Sequence, residues 1–160
     1  MNLRKLFILF LLPILALAQG HLIFTEMVLQ PASGEYVKIM NPTASSVDLD
    51  NYYITDATDV AGGKYYYKLA DGADYWSLSG SDFIARFPDM SLAAGESIIL
   101  GLGRDSDYQS EYGALPDLYL KGSGNDTMRY AIDGVKTIGG SPNSKLDNVA
   151  EGLILFYWDG

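Results

Sequence analysis

Apolar and polar positions alternate along much of this chain with the two-residue period of extended backbone, in short bursts cut by Gly, Pro, Asn and Asp. Residues 35–40, Glu-Tyr-Val-Lys-Ile-Met, set the pattern. Side chains on a strand point alternately to opposite sides, so Val37 and Ile39 share one face and Tyr36 and Lys38 the other. Asn41-Pro42 stops the burst, because Pro has no N–H for a ladder and Asn before it favours a turn. Shorter apolar runs follow at 47–49 and 52–55, and residues 21–29 form one before.

The same reading predicts strands at 65–69 and 83–87, with a loop across 70–82 between them. After a turn at Gly95, Ile98, Leu100 and Leu102 face one way. A long polar loop is expected over 104–117. Residues 128–132 and 135–138 flank Asp133-Gly134, a dipeptide that supplies the positive φ values of a tight hairpin turn. Residues 139–148 read as loop, and 153–158, apolar throughout, read as a buried strand. No segment holds a helical period over three turns. Many short strands at this spacing predict an all-β sandwich or barrel.

The first twenty residues break the pattern. Arg4 and Lys5 precede an apolar run over 6–17, and Ala16-Leu17-Ala18 is the small-x-small site of a signal peptidase. About a dozen apolar residues are too few for the roughly 20 of a membrane-spanning helix. Residues 1–18 are therefore read as a secretory signal peptide, and 19–160 as one exported domain, secreted, at the cell surface or periplasmic. Cleavage removes two cations and no acids, taking the net charge from -9 to -11. Such a surface repels phosphate backbones, no basic stripe is visible, and nucleic-acid binding is not expected. Stable membrane insertion after cleavage is not expected either. Without cysteine the domain has no disulfides, thiol catalysis or thiolate metal site.

The stretch HLIFTEMVLQPASGEYVKIMNPTASSVDLDNYYITDA, residues 21–57, resembles the opening of the lamin tail domain family in its exported bacterial form. Glu35, Tyr36, Val37, Ile39, Asn41, Pro42, Val47, Asp48, Leu49, Tyr53 and Asp56 stand at matching places. SLAAGESIIL (91–100) and LDNVAEGLILFYWDG (146–160) are similar to later strands of that family, while about 64–90 diverges. The resemblance implies an immunoglobulin-like β-sandwich with no catalytic residues. It also implies a closing strand after the Asp159-Gly160 turn, so the domain is expected to be C-terminally incomplete in this chain. Turn chemistry accounts for the shared residues: Asn41-Pro42 ends a strand, and Asp48 caps a turn with its side chain.

Carboxylates are the remaining candidate chemistry. Asp48 and Asp50, Asp56 and Asp59, Asp105 and Asp107, and Asp126 are close enough in sequence to begin a calcium site. None completes a twelve-residue loop ending in Glu, so solvated turn carboxylates are the favoured reading, and Asp105 with Asp107 is the pair to watch. No acid sits in a recognisable glycosidase frame. The Gly-rich GLGRD and GSGND open no helix, so neither cradles phosphate. A Ser-His-acid set would depend on His21 alone, near the expected mature terminus. Thus no catalytic, cofactor-binding or metal residue is assigned. Tyr65, Tyr66, Tyr67, Tyr75, Trp76, Tyr108 and Tyr112 are read mainly as sheet packing, although aromatics on loops can stack on sugars or grip proteins.

The functional expectation is a non-enzymatic module for binding, adhesion or spacing, with a protein or glycan partner at the cell surface. The alternative is an accessory domain of a larger exported hydrolase, of nuclease or phosphoesterase type, whose catalytic part lies beyond residue 160. Mass spectrometry of the exported protein is expected to find Gln19, free or cyclised, as the first residue. An intact membrane-embedded N-terminus would overturn the signal-peptide reading.

Overall fold

The computed structural model describes residues 20–58, 64–76, 82–121, 126–139, 146 and 152–160. The leader, Asp59 and much of the loop over 139–148 lie outside them. Strands dominate: β1 (Ile23–Val28), β2 (Tyr36–Met40), β3 (Val47–Asp48), β4 (Tyr52–Thr55), β5 (Ile84–Arg86), β6 (Ser91–Leu92), β7 (Ser97–Arg104), β8 (Leu118–Lys121), β9 (Arg129–Tyr130) and β10 (Ile154–Tyr157). They form two four-stranded sheets, β1-β2-β7-β8 and β10-β4-β5-β9, with β3-β6 as a two-stranded piece. Among the described residues the fold is all-β with three short helical segments.

Residues opposite each other on neighbouring strands share a face. Val37 lies opposite Leu100 and Ile39 opposite Ile98, so β2 and β7 turn four buried apolar chains inward, as their alternation predicts. On the second sheet, Ile54 lies between Ala85 and Leu155. These two inner faces share one core with Leu49, Phe83, Phe87, Leu92, Leu102 and Leu120. Burying each such side chain contributes on the order of 1.5–3 kcal/mol.

The second sheet is apolar on both sides. Tyr53 lies opposite Phe156, the rings stacked with centroids 5.3 Å apart, and joins Ile84, Leu69 and Trp76 in a separate cluster. That cluster explains the first departure from the sequence reading. Residues 65–69 form no strand. A 3-10 segment runs over Tyr66–Asp74, interrupted at Gly72, into what was expected to be loop. In such a helix residues three apart lie one above another. Tyr66 and Leu69 follow that spacing: Tyr66 meets Phe156 at 5.4 Å and Leu69 is buried, while Tyr75, beyond the break at Gly72, packs on the same cluster. A strand would have put Tyr65 and Tyr67 on one face and left Leu69 with them.

A second departure lies between β7 and β8. These neighbours run parallel, with Leu100 opposite Leu118, so a tight turn cannot join them and a crossover is required. Helix α1 (Asp105–Tyr112) supplies it within the expected polar loop. Asp105 and Asp107 occupy its first turn, where negative charge is favoured. Gly113 ends it at φ +75, a left-handed position that costs glycine little. Tyr108 is buried under the helix, its ring 5.7 Å from Tyr36 and 4.6 Å from Tyr112.

The Asp133-Gly134 turn is present, with Gly134 at φ +76 and Ile132 bridging Val135. Its arms do not continue as a hairpin. Both join β5: Arg129 and Tyr130 pair with Arg86 and Ala85, and Ile138 bridges Phe83. Thr137 makes this possible, because its hydroxyl donates to the Ile84 carbonyl (2.6 Å) and accepts the Ala131 N–H (2.9 Å). The two sheets are tied on this side, where the Tyr119 N–H donates to Asp126 O and the Met128 N–H to Tyr119 O. Segment 153–158 is not a buried strand. β10 is the edge of its sheet, half-buried, with Tyr157 exposed.

The Asn-Pro stop acts through a side chain. Asn41 is fully buried, and its amide donates to the carbonyls of Ser45 (2.8 Å), Leu92 (2.8 Å) and Ala93 (3.1 Å) while its Oδ1 accepts the Thr43 N–H. Asn41→Asp places a carboxylate oxygen among three carbonyls and is expected to cost roughly 3 kcal/mol or more. Ile39→Asp is expected to abolish folding, since an unpaired buried charge costs several kcal/mol, a large part of a domain's stability. Lys38→Asp, on the opposite face, is expected to change little. Thermal melts of the three variants check this; similar midpoints for Ile39→Asp and Lys38→Asp would refute the face assignment.

Candidate functional site

The acidic pairs of the sequence do not converge. Among the described residues, no group of three or more Asp, Glu, His or Cys side chains is placed to hold a metal ion. Asp105 accepts the Ser106 N–H, and Asp107 has one buried, unpartnered oxygen. Asp48 caps its turn as expected, accepting the Asp50 N–H at 3.0 Å. Asp56 is not a solvated turn carboxylate: it is buried and accepts the Phe83 N–H at 2.6 Å, fastening β4 to β5. His21 is exposed.

Asp50 is not merely solvated either. Register places Arg86 of β5 directly opposite Arg129 of β9, and like charges so placed repel. The Asp50 carboxylate resolves this by giving one oxygen to each, Oδ1 to Arg129 (2.6 Å) and Oδ2 to Arg86 (3.1 Å). Arg86 also donates from Nε to the Asp50 carbonyl (2.6 Å), and Arg129 from Nε to Phe87 O (2.7 Å). The Arg129 hydrogen bond, followed by the charges of both arginines, holds the Asp50 carboxyl below its ordinary 3.8. Two guanidiniums share one carboxylate, so one positive charge is left over.

Two grooves border this clamp, with Asp133 at the rim of both. The smaller, about 320 Å³, is lined by Tyr53, Leu69, Arg86, Ile132 and Trp158, with Asn51 and Asp159 among its polar groups. The Arg86 guanidinium lies 5.9 Å from the centre of the Tyr53 ring, and the Trp158 ring is 5.9 Å from the same ring. The larger groove, about 660 Å³, gathers Lys121, Arg129 and Lys136 with Thr127, over a floor that includes Met128 and Ile138. The Thr127 hydroxyl is buried without a hydrogen-bond partner.

Neither groove is visible as a motif. Lys121, Arg129 and Lys136 are spread over sixteen positions of β8, β9 and the turn after it, with no periodicity that marks them as a set. Only the crossing from β8 to β9 and the folding of 129–138 along β5 bring them together. The one available cue was Arg129 and Lys136 on either side of a recognised turn.

No family model, curated protein or solved structure matches this chain. The likeness to the lamin tail family therefore rests on the residues quoted above.

Because the native Asp50 value is depressed, the stability from its ionised form is present above about pH 4 and lost as pH falls through that native value. Asp50→Asn is expected to lower the melting temperature at pH 7, where Arg86 and Arg129 then face each other uncompensated. The gap between variant and parent is expected to narrow towards pH 2.5. A gap that stays constant with pH would refute the role of the charge.

Proposed function

We propose that this protein is an exported, non-catalytic module of the lamin tail type, with an immunoglobulin-like β-sandwich, that binds a partner at or beyond the cell surface. The observation that carries this reading is the pair of grooves around the Asp133-Gly134 turn. They bring aromatic, cationic and hydroxyl side chains to the rim of a rigid sheet, on a short loop, which is where binding residues are commonly held. The deeper polar side chains serve the frame instead. Asn41, Thr55, Asp56 and Thr137 each bond to backbone that joins strands or turns. Residues 35–57 carry the lamin-tail pattern at positions with such framing roles, in keeping with a family whose shared motif is structural.

The test is retention against turnover. The purified protein is expected to be retained on cell-envelope material and to bind a component of a glycan or surface-protein panel. Under the same conditions it is expected to leave phosphodiester, phosphomonoester and glycoside substrates intact. Hydrolysis that survives repurification would overturn the non-catalytic reading, and absence of all retention would overturn the binding one.

A further inference from the structure

We infer that two copies of this chain associate through β10, antiparallel about a two-fold axis at Leu155, so that the sheets β10-β4-β5-β9 of both copies become one. The contact lies outside the cationic groove, and its failure would leave the binding-module reading standing.

The direction of the backbone groups comes first. Among the described residues β10 has β4 as its one neighbour. The Trp158 N–H donates to Asn51 O at 3.0 Å, so the backbone groups of residues 154, 156 and 158 point at β4. Those of Leu153, Leu155 and Tyr157 point away from it. An antiparallel copy centred on Leu155 sets Leu153 opposite Tyr157 of the second copy and Leu155 opposite Leu155. Each of these pairs joins outward groups of both strands. The second copy takes the edge on which a closing strand after Asp159-Gly160 would otherwise lie.

Charge and side-chain fit then select a second copy. The chain has a net charge of -9, so most approaches between copies set like charge against like. Residues 152–158 carry no charge, and Leu155 is the centre of that run, so an axis there pairs its residues only with one another. Moving the axis to Phe156 would set Asp159 against Leu153. β1, the border of the other sheet, offers no such run, since Glu26 interrupts it. The pairing also matches side chains: Ile154 falls beside Phe156 of the second copy, a β-branched residue against an aromatic one. Leu153 and Leu155 pack on the common core and Phe156 and Trp158 on the outer cluster, and all four are half-buried. A second β10 therefore covers apolar surface on both faces of the sheet at once.

Sedimentation equilibrium of the purified protein over rising concentration is expected to show a monomer passing into a closed dimer and nothing larger, more tightly as salt rises. Tyr157→Lys, which puts a charge on the exposed side chain of the shared strand, is expected to raise the dissociation constant about tenfold or more. Met27→Lys, exposed on β1, is expected to change it less than about twofold. The chain has no cysteine, so cross-linking reads the register. With Leu155→Cys the two thiols belong to directly opposed residues about 5.5 Å apart between Cα atoms, and mild oxidation is expected to yield a covalent dimer. With Tyr157→Cys the two sites lie roughly 14 Å apart and are expected to stay reduced, although this position is the more exposed. Mixing Leu153→Cys with Tyr157→Cys is expected to restore the link, and serves if a thermal melt shows Leu155→Cys unfolded. A monomer throughout, open-ended larger species, an unweakened Tyr157→Lys dimer, or oxidation of Tyr157→Cys as readily as Leu155→Cys would each overturn the inference.

Discussion

The buried amide of Asn41 is the constraint on which the first sheet depends. It stands where β2 ends, and its hydrogen bonds to Leu92 and Ala93 reach fifty residues along the chain, to the connection from β6 into β7. The backbone of the same residue is engaged at both groups: its N–H donates to Glu96 O, and its carbonyl accepts the Gly95 N–H. One residue thus closes the turn after β2 and fixes where β7 begins. The β2–β7 register follows, and with it the inward placement of Val37, Ile39, Ile98 and Leu100. Pro42, with no N–H, prevents the ladder from running past this point. An amide suits the site because it donates towards converging carbonyls and accepts Thr43 N–H without bringing a charge into the core.

The second sheet works differently. It is covered on both faces, inward by the common core and outward by the aromatic cluster under Tyr66–Asp74. At its β9 margin the outer cover gives way to charge, where Arg86 and Arg129 stand side by side. A clamp of this kind contributes placement more than energy, since partly exposed ion pairs are worth on the order of 0–1 kcal/mol each. Its value is positional: it holds two guanidiniums at the junction of an aromatic groove and a cationic one. Rigid strands set the positions, and the turn that follows separates the two grooves.

What was legible in the sequence was whatever short-range pattern determines. The faces of β2 and β7, the stop at Asn41-Pro42, the Asp48 cap and the Asp133-Gly134 turn all follow from alternation and turn chemistry. What was not legible depended on partners distant along the chain. Tyr65-Tyr66-Tyr67 has high strand propensity, but covering Tyr53 and Phe156 required residues three apart to lie on one side. Helix α1 is two turns long, too short for a periodic signal, and only the parallel pairing of β7 with β8 explains it. Its local signs, acids in the first turn and glycine after the last, are equally those of a polar loop. The cations of the larger groove show no periodicity, and the turn between Arg129 and Lys136 is their one local sign. Asp50 and Asp56 looked like surface acids because their partners, Arg86, Arg129 and the Phe83 N–H, lie about thirty or more residues away.

The order of strands also sets how the molecule breathes. At one margin the sheets are stitched together through Tyr119, Asp126 and Met128; among the described residues β1 and β10 close the opposite end of each sheet with a single neighbour apiece. Along such a border strand alternate N–H groups point at the neighbour and the rest point away. Deuterium uptake across 23–28 and 154–157 should therefore rise and fall residue by residue, with the first exchange at the unshared amides. The borders differ in one respect. β1 interrupts its rim with Glu26, whereas residues 152–158 carry no charge at all, so of the two it is β10 whose fraying uncovers surface that water disfavours.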